Sequence, residues 1–353
     1  MMDNHQPERI KAFILTRVLK HPKDIVPLAV KQFKVTPTTV HRHMNKLLKL
    51  GEVVKTGRTR GASYFLKSAL QKQLEFSVKP GLEENIVWKK YLHDAFAILP
   101  ENIYAICNYG FSEMFNNAID HSQGSRIAVR SKIIDDVLKL NIYDNGVGIF
   151  NKLKNAFGLD TGRASILELT KGKLTTDPEN HTGEGIFFTS RAVDKFRIVS
   201  SNLTYIKNNL EDDWFIESPN HPIKGTGIFL EIRVNSDKNL KDIFHQYSTL
   251  DHREGIPTFD KTHIRVGLSK AGQVGYVSRS QAKRILAGLE KFNHFTLDFR
   301  GIKTVGQGFV DEVFRVFQSK HPNIKIEWTN ANEDVRFMIE SSLPYNQEGS
   351  IPI

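Results

Sequence analysis

The chain has 353 residues, 40% of them hydrophobic and 25% charged, which is the make-up of a globular protein of more than one domain. Its single cysteine, Cys107, excludes an intramolecular disulfide framework and a multi-cysteine zinc site, and on its helical stretch it reads as packing rather than as a nucleophile. No apolar run is long enough to span a membrane and the N-terminus lacks the apolar core of a signal peptide, so a cytoplasmic protein without a membrane partner is expected.

The net charge of +10 is local: residues 1–80 hold 16 Lys and Arg against 5 Asp and Glu, a +11 that leaves −1 for the remainder. A concentrated positive segment on a nearly neutral body is the footprint of a nucleic-acid module, with a membrane surface as the rival. Two amphipathic stretches, Arg9 to Lys20 and Asp24 to Phe33, precede Thr36-Pro37-Thr38-Thr39, a helix-opening hydroxyl followed by proline. The helix it opens runs through Val40, Met44, Leu47 and Leu48 and stops at Gly51. Val53-Val54 and Tyr64-Phe65-Leu66 then flank a Gly/Arg/Thr-rich loop and predict a β-hairpin. Residues 8–70 resemble a winged helix-turn-helix of the bacterial regulator type, and 1–80 is assigned to it. The resemblance implies that the third helix enters the major groove and presents Thr38, Thr39, His41, Arg42 and Lys46, with Arg58 and Arg60 of the wing on phosphate or minor groove. Thr36 reads as a helix cap at least as readily as a base contact, and winged helices also dock proteins.

Residues 81–235 form the central expectation. Ile103 to His121 carries apolar residues at helical spacing, with Glu113 and Asn117 one turn apart on the same face. An acid and an amide so placed can polarise a water and ligate magnesium, respectively. The alternating Val137, Leu138, Leu140 and Ile142 run into Asp144-Asn-Gly-Val-Gly148, where a strand ends on a carboxylate and two glycines bend the chain away. Gly183-Glu-Gly185 and Gly225-Thr-Gly227 follow. In this order the four segments resemble the GHKL superfamily of ATPases, which includes histidine kinases, type II topoisomerase ATPase domains, mismatch-repair ATPases and anti-sigma-factor kinases. Glu113 to His121 is similar to the N-box, Asp144 to Gly148 to the G1 box, Gly183 to Gly185 to a short G2 box, and Gly225-Thr226-Gly227 to the strand-leading adenine contact. The resemblance implies an ATP site in which Asn117 binds Mg2+, Glu113 is the general base, and Asp144, assisted by Thr226, holds the adenine amino group. Gly146, Gly148, Gly183 and Gly185 would then line the nucleotide. His121 completes an N-A-x-x-H pattern similar to that of the anti-sigma kinases, where it would lie near the phosphates. Phe150 to Thr182 takes the place of the ATP lid, with Lys171 and Lys173 as its phosphate-binding lysines; its bland reading is an exposed basic loop.

After a linker at 236–256, residues 257–345 alternate strand and helix: Thr262 to Leu268, Ser278 to Leu289, Phe295 to Phe299, Phe309 to Phe317, Ile324 to Trp328 and Asn332 to Ser341. Leu297-Asp-Phe-Arg-Gly-Ile302 and Gly306-Gln-Gly-Phe-Val-Asp-Glu312 resemble the STAS-like domains found fused to GHKL ATPases. In the anti-sigma system such domains are phosphorylated on a serine after the Asp-bearing strand. Here Gly308 stands at that position and Thr304 is the nearest hydroxyl, which puts phosphotransfer within the chain in doubt.

The fold class expected is therefore an α/β (α+β) multidomain chain: an N-terminal winged helix, a central GHKL α/β sandwich and a C-terminal STAS-like α/β domain. The function expected is an ATP-dependent DNA-binding transcriptional regulator with slow ATP hydrolysis, its cofactors ATP and Mg2+, its partners DNA and a protein met through the STAS-like unit. A homodimer stays open. Two alternatives stand beside it, a serine/threonine kinase of the anti-sigma-factor type acting on a separate partner and a scaffold that binds ATP without hydrolysing it.

Overall fold

The computed structural model describes residues 6–57, 62–176, 182–211, 213–217, 222–250, 257–269 and 276–342. Arg58 and Arg60, expected on the wing, lie outside the described residues, as does part of the 236–256 linker. The chain is a multidomain α+β protein that divides into two compact units. One comprises Met1–Ile149, Thr189–Asp213 and Asn220–Leu240; the other comprises Phe150–Phe188, Trp214–Pro219 and Lys241–Ile353. The segment Phe150–Phe188, which contains the 150–182 stretch expected as a lid, groups with the C-terminal residues.

The first unit begins with α1 (Gln6–Arg17), α2 (Ile25–Phe33) and α3 (Pro37–Lys49), followed by an antiparallel hairpin of β1 (Val53–Thr56) and β2 (Ser63–Leu66). Apolar residues spaced three and four apart put Ile10 and Ile14 of α1, Ala29 of α2, and Val40, Met44 and Leu47 of α3 into one core with Val53 and Tyr64 of the hairpin. α3 starts where Thr36 Oγ1 accepts from the Thr39 N–H at 3.3 Å and Pro37 takes the first helical position.

A seven-stranded sheet follows. β3 (Lys72–Ser77) pairs with β4 (Arg126–Ile134), β4 with β5 (Val137–Asp144), and β5 with β9 (Ile223–Arg233), which pairs with β6 (Lys195–Ser201) and through it with β7 (Leu203–Asn208). β8 (Asp213–Glu217) precedes β9 in the chain. The β4–β5 connection is two residues, Asp135 and Asp136, at φ 47° and 60°, the left-handed pair that matches the twist of a hairpin. Helical segments α4 (Glu84–Val87) and α5 (His93–Phe96) flank a π-helical turn at Trp88–Leu92 and lead to the long α6 (Glu101–His121). α6 lies on β4, β5 and β9, burying Ile103, Ile106, Phe111, Met114 and Phe115. These meet the inward side chains of the strands, among them Ile127, Val129, Leu138, Leu140, Ile142, Ile228 and Leu230. The opposite face of the sheet carries Tyr143 and Phe229, edge to face at 5.4 Å, with Arg130 and Arg197 over their rings.

Between β5 and β6 the chain forms α7 (Ile149–Ala156), α8 (Gly162–Lys171) and α9 (Gly185–Ala192). The second unit adds α10 (Leu240–Tyr247) and the antiparallel pair β10 (Ser248–Leu250) and β11 (Pro257–Phe259). Its parallel sheet has the order β12-β14-β16, formed by Lys261–Arg265, His294–Asp298 and Lys325–Thr329; a second parallel pair joins β13 (Tyr276–Val277) to β15 (Thr304–Val305). The helices are α11 (Arg279–Leu286), α12 (Gln307–Val310) and α13 (Gln318–Lys320) on either side of a π-helical Asp311–Phe317, and α14 (Glu333–Glu340). α8 packs against β12, and the Thr262 hydroxyl donates to the Lys171 carbonyl at 2.7 Å. Among the described residues no helix is long and apolar enough to cross a membrane.

Candidate functional site

The end of β5 is a tightly bonded turn. Asp144 Oδ1 accepts two main-chain N–H groups, from Gly146 at 2.9 Å and from Thr226 at 3.2 Å, and the Thr226 Oγ1 accepts from the Ile149 N–H at 3.0 Å. Thus Asp144, Gly146 and Thr226 are brought together across two neighbouring strands, with buried Gly148 closing the turn. Two glycines make the approach feasible. A Cβ on Gly146 would lie 2.0 Å from the Ser122 carbonyl oxygen, and one on Gly225, at φ +80°, would lie 2.0 Å from the Asp144 carbonyl oxygen. Burial pushes the Asp144 carboxyl above the usual range, against the opposing pull of the Gly146 and Thr226 main-chain donors and the Thr226 side chain.

Sequence reading passed over Asn145, which fixes this turn to the exit of α6. Its Oδ1 accepts from the Ser125 and Arg126 N–H groups at 2.9 and 3.0 Å, and its Nδ2 donates to Ser125 Oγ. The Val147 N–H donates to the Ser122 carbonyl at 2.9 Å. An Asn between Asp and Gly is a turn former by type, and that was the available signal.

Glu113, Asn117 and His121 are half-buried on α6. Each stands three residues after a buried Gly110, Met114 or Ala118, so the three form a row flanking the row that meets the sheet. Among the described residues no group of three or more His, Cys, Asp or Glu side chains is placed to hold a metal ion.

The remaining expected nucleotide residues lie in the second unit, where the two lysines are engaged. Lys171 is 2% exposed, and its ammonium meets Glu168 Oε1 at 2.6 Å and the carbonyls of Arg284 and Ala287 at 2.8 and 2.7 Å. An ammonium has three donors, and three acceptors consume them. Lys171 thus clamps the C-terminal end of α11, where exposed carbonyls favour a cation. Burial holds its pKa down and that of Glu168 up, the Glu168–Lys171 pairing opposing both shifts. Lys173 donates to the Lys291 carbonyl at 2.9 Å and lies over the Phe292 ring at 4.7 Å. Gly183 packs against the main chain of Leu174, and Gly185 opens α9.

On the N-terminal module, α3 exposes Thr38, His41, Arg42 and Lys46. Thr39 is turned inward enough for its hydroxyl to bond Thr36 Oγ1 at 3.0 Å. Asn45 and Lys49 are exposed as well; with Thr38, His41 and Arg42 they extend one helical stripe, a periodicity the sequence already contained.

The second unit's parallel sheet ends in a polar cluster. Asp298, 3% exposed at the end of β14, accepts from Arg265 Nη1 at 2.9 Å, from the Arg300 N–H at 2.9 Å and from Asn330 Nδ2 at 2.9 Å. A family model described as a STAS-like domain of unknown function (DUF4325) matches residues 281–336, which run from within α11 to the middle of α14 and include Asp298, Arg300 and Asn330 of this cluster. The C-terminal unit carries a STAS-like domain. No curated protein matches the chain. Within the STAS-like domain, burial would raise the Asp298 carboxyl, but the Arg300 N–H, Asn330 and Arg265 outweigh it and hold the group below its usual range. Gly308 is roofed by Arg279, whose Cβ and Nε would lie 3.3 Å from a Cβ added there. Arg279 in turn donates to the Gly308 carbonyl at 3.3 Å and to Asp311 at 2.7 Å, and Arg315 shares Asp311.

Proposed function

We propose that the protein is an ATP-binding, DNA-binding regulator whose central domain, similar to the GHKL ATPases, holds the nucleotide at the Asp144 turn. The observation that carries this reading is that Asp144 is half-buried, anchored through Oδ1 by two main-chain donors, and backed by glycines that no side chain could replace. A carboxylate fixed in this way, with its second oxygen oriented by the first, is suited to accept the amino group of adenine in place of water. Asn117 would be the protein ligand to magnesium, which keeps several waters and takes most other ligands from phosphate oxygens, so one amide suffices. Glu113, one turn before it, would act as general base in a slow hydrolysis, with His121 near the phosphates. Lys171, Lys173, Gly183 and Gly185 belong to the second unit and carry no part of this reading. The exposed stripe of α3 supports DNA as the partner of the N-terminal module.

Isothermal titration with Mg-ATP and Mg-GTP tests the nucleotide reading. Binding should favour the adenine nucleotide, and Asp144→Asn should weaken Mg-ATP by about tenfold or more, the worth of a charge-assisted hydrogen bond; equal affinity in the variant would sink it. DNA affinity that is the same in the apo, ADP and ATP-analogue forms would count against a nucleotide-dependent regulator. The alternative of a kinase acting on a separate partner is read from transferred label that is lost in Glu113→Ala. Transfer within the chain is disfavoured, because Gly308 offers no hydroxyl and Arg279 covers it.

A further inference from the structure

β9 connects the Asp144 turn to the N-terminal module by an unbroken strand. At one end Thr226 bonds Asp144. From Tyr143↔Gly227 to Val137↔Arg233 the strand is paired in continuous register with β5, and at its far end the Val234 N–H donates to the Asp136 carbonyl at 2.9 Å. The next residue reaches the hairpin. Asn235 Oδ1 accepts from the Gly57 N–H at 3.0 Å and Nδ2 points to the Lys55 carbonyl at 3.5 Å. A carbonyl and an N–H two residues apart are what one residue of a parallel strand would engage, so the amide side chain imitates a strand beside β1. On either side of this contact Thr56 and Val234 are buried. The other strand of the hairpin is tied to the same sheet, because the Ser131 hydroxyl of β4 donates to the Leu70 carbonyl at 2.6 Å in the turn that follows β2.

The fastening is stiff at one end and slack at the other. Around Asn235, buried Asp194 accepts from the N–H and Nε of Arg233 at 2.9 and 3.1 Å, and Asn102 Nδ2 donates to the carbonyls of Ser236 and Lys238, each at 2.8 Å. Beside Thr226 the pairing of β9 with β6 is irregular: Ser200 faces Thr226 while Ser201 faces Ile223. A displacement at Thr226 can therefore enter β9 where its neighbour permits it and travel along a strand held on both sides. We propose that Asn235 is a latch that conveys the state of the Asp144 site to the β1–β2 hairpin through β9. The inference rests on the nucleotide reading of that site. Because the latch is an exposed hydrogen bond of modest strength, it can be made and broken without loss of the fold.

Hydrogen exchange of the full chain, read on peptides covering Val53–Gly57, tests it. Without nucleotide, Asn235→Ala should speed exchange at the Gly57 amide by about fivefold, the worth of one hydrogen bond, and Asn235→Asp, which keeps the acceptor, should restore protection. With Mg-ATP, exchange of the hairpin should change in the wild-type chain and not in Asn235→Ala, while the thermal shift caused by Mg-ATP is the same in both. Equal Gly57 exchange in the nucleotide-free wild type and Asn235→Ala overturns the latch. A hairpin response retained in Asn235→Ala overturns its role in coupling. Absence of any Mg-ATP thermal shift overturns the nucleotide reading and with it the coupling, while the Gly57 comparison still decides the latch.

Discussion

Two ionisable residues show how burial sets the outcome of a substitution. The Asp144 carboxyl is raised by burial, so it takes up a proton at higher pH than a surface aspartate. Its ionised, accepting form is lost as pH falls through that raised value, so under the proposed nucleotide reading Mg-ATP affinity should decline at a pH where surface carboxylates are still charged; a titration series across the acid range checks this. Lys171 and Glu168 form a pair that is 3% and 19% exposed. Lys171→Met leaves Glu168 buried without its cation and should cost about 3–5 kcal/mol, whereas replacing both by apolar residues should cost much less; denaturant midpoints of the two variants decide. The aspartate was legible in the sequence because a strand of alternating residues runs into a glycine-rich turn. The partners of the lysine were not legible: nothing local to Lys171-Gly-Lys173 records that carbonyls more than a hundred positions later accept from its ammonium.

At the scale of elements, local chemistry was informative where a helix or turn is set by its own ends. Thr36 caps α3, and Thr36→Ala should destabilise the N-terminal module by about 1 kcal/mol without moving the Asp144 turn, measurable as a shift of the module's own unfolding transition. If that module binds DNA, Arg42→Ala and Lys46→Ala should each reduce the salt slope of binding by about 1, as expected when one phosphate contact is lost. The helices and hairpin of this region, α6 and β5 were all visible as periodicities of the sequence. The helices within Phe150–Thr182 were not. Thr161 caps α8 by accepting from the Ala164 N–H at 3.2 Å, and Ser165, Ile166, Leu167 and Leu169 are buried, yet a basic composition between two glycine motifs suggested a loop.

Across the whole molecule, the partition of segments between units was the part that sequence could not supply, because it depends on which distant surfaces bury the apolar face of α8. The second unit also has an acid-sensitive joint. Asp298 is held below its usual range, so the stability it contributes is complete at neutral pH and is lost as pH falls through the ordinary carboxylate range toward its depressed folded value. Asp298→Asn should flatten the acid limb of that unit's unfolding curve, and an unchanged limb would refute the assignment. The same unit draws α7 and α8 from before β6 and its sheet from after β9. On the ribosome, then, α8 emerges long before the surfaces that cover it, and Lys171 waits through the synthesis of more than a hundred residues for Arg284 and Ala287. A chain ended between the two parts would display the apolar face of α8 and should accumulate in the insoluble fraction, so the order of synthesis makes the last third of the chain a requirement for the solubility of its middle.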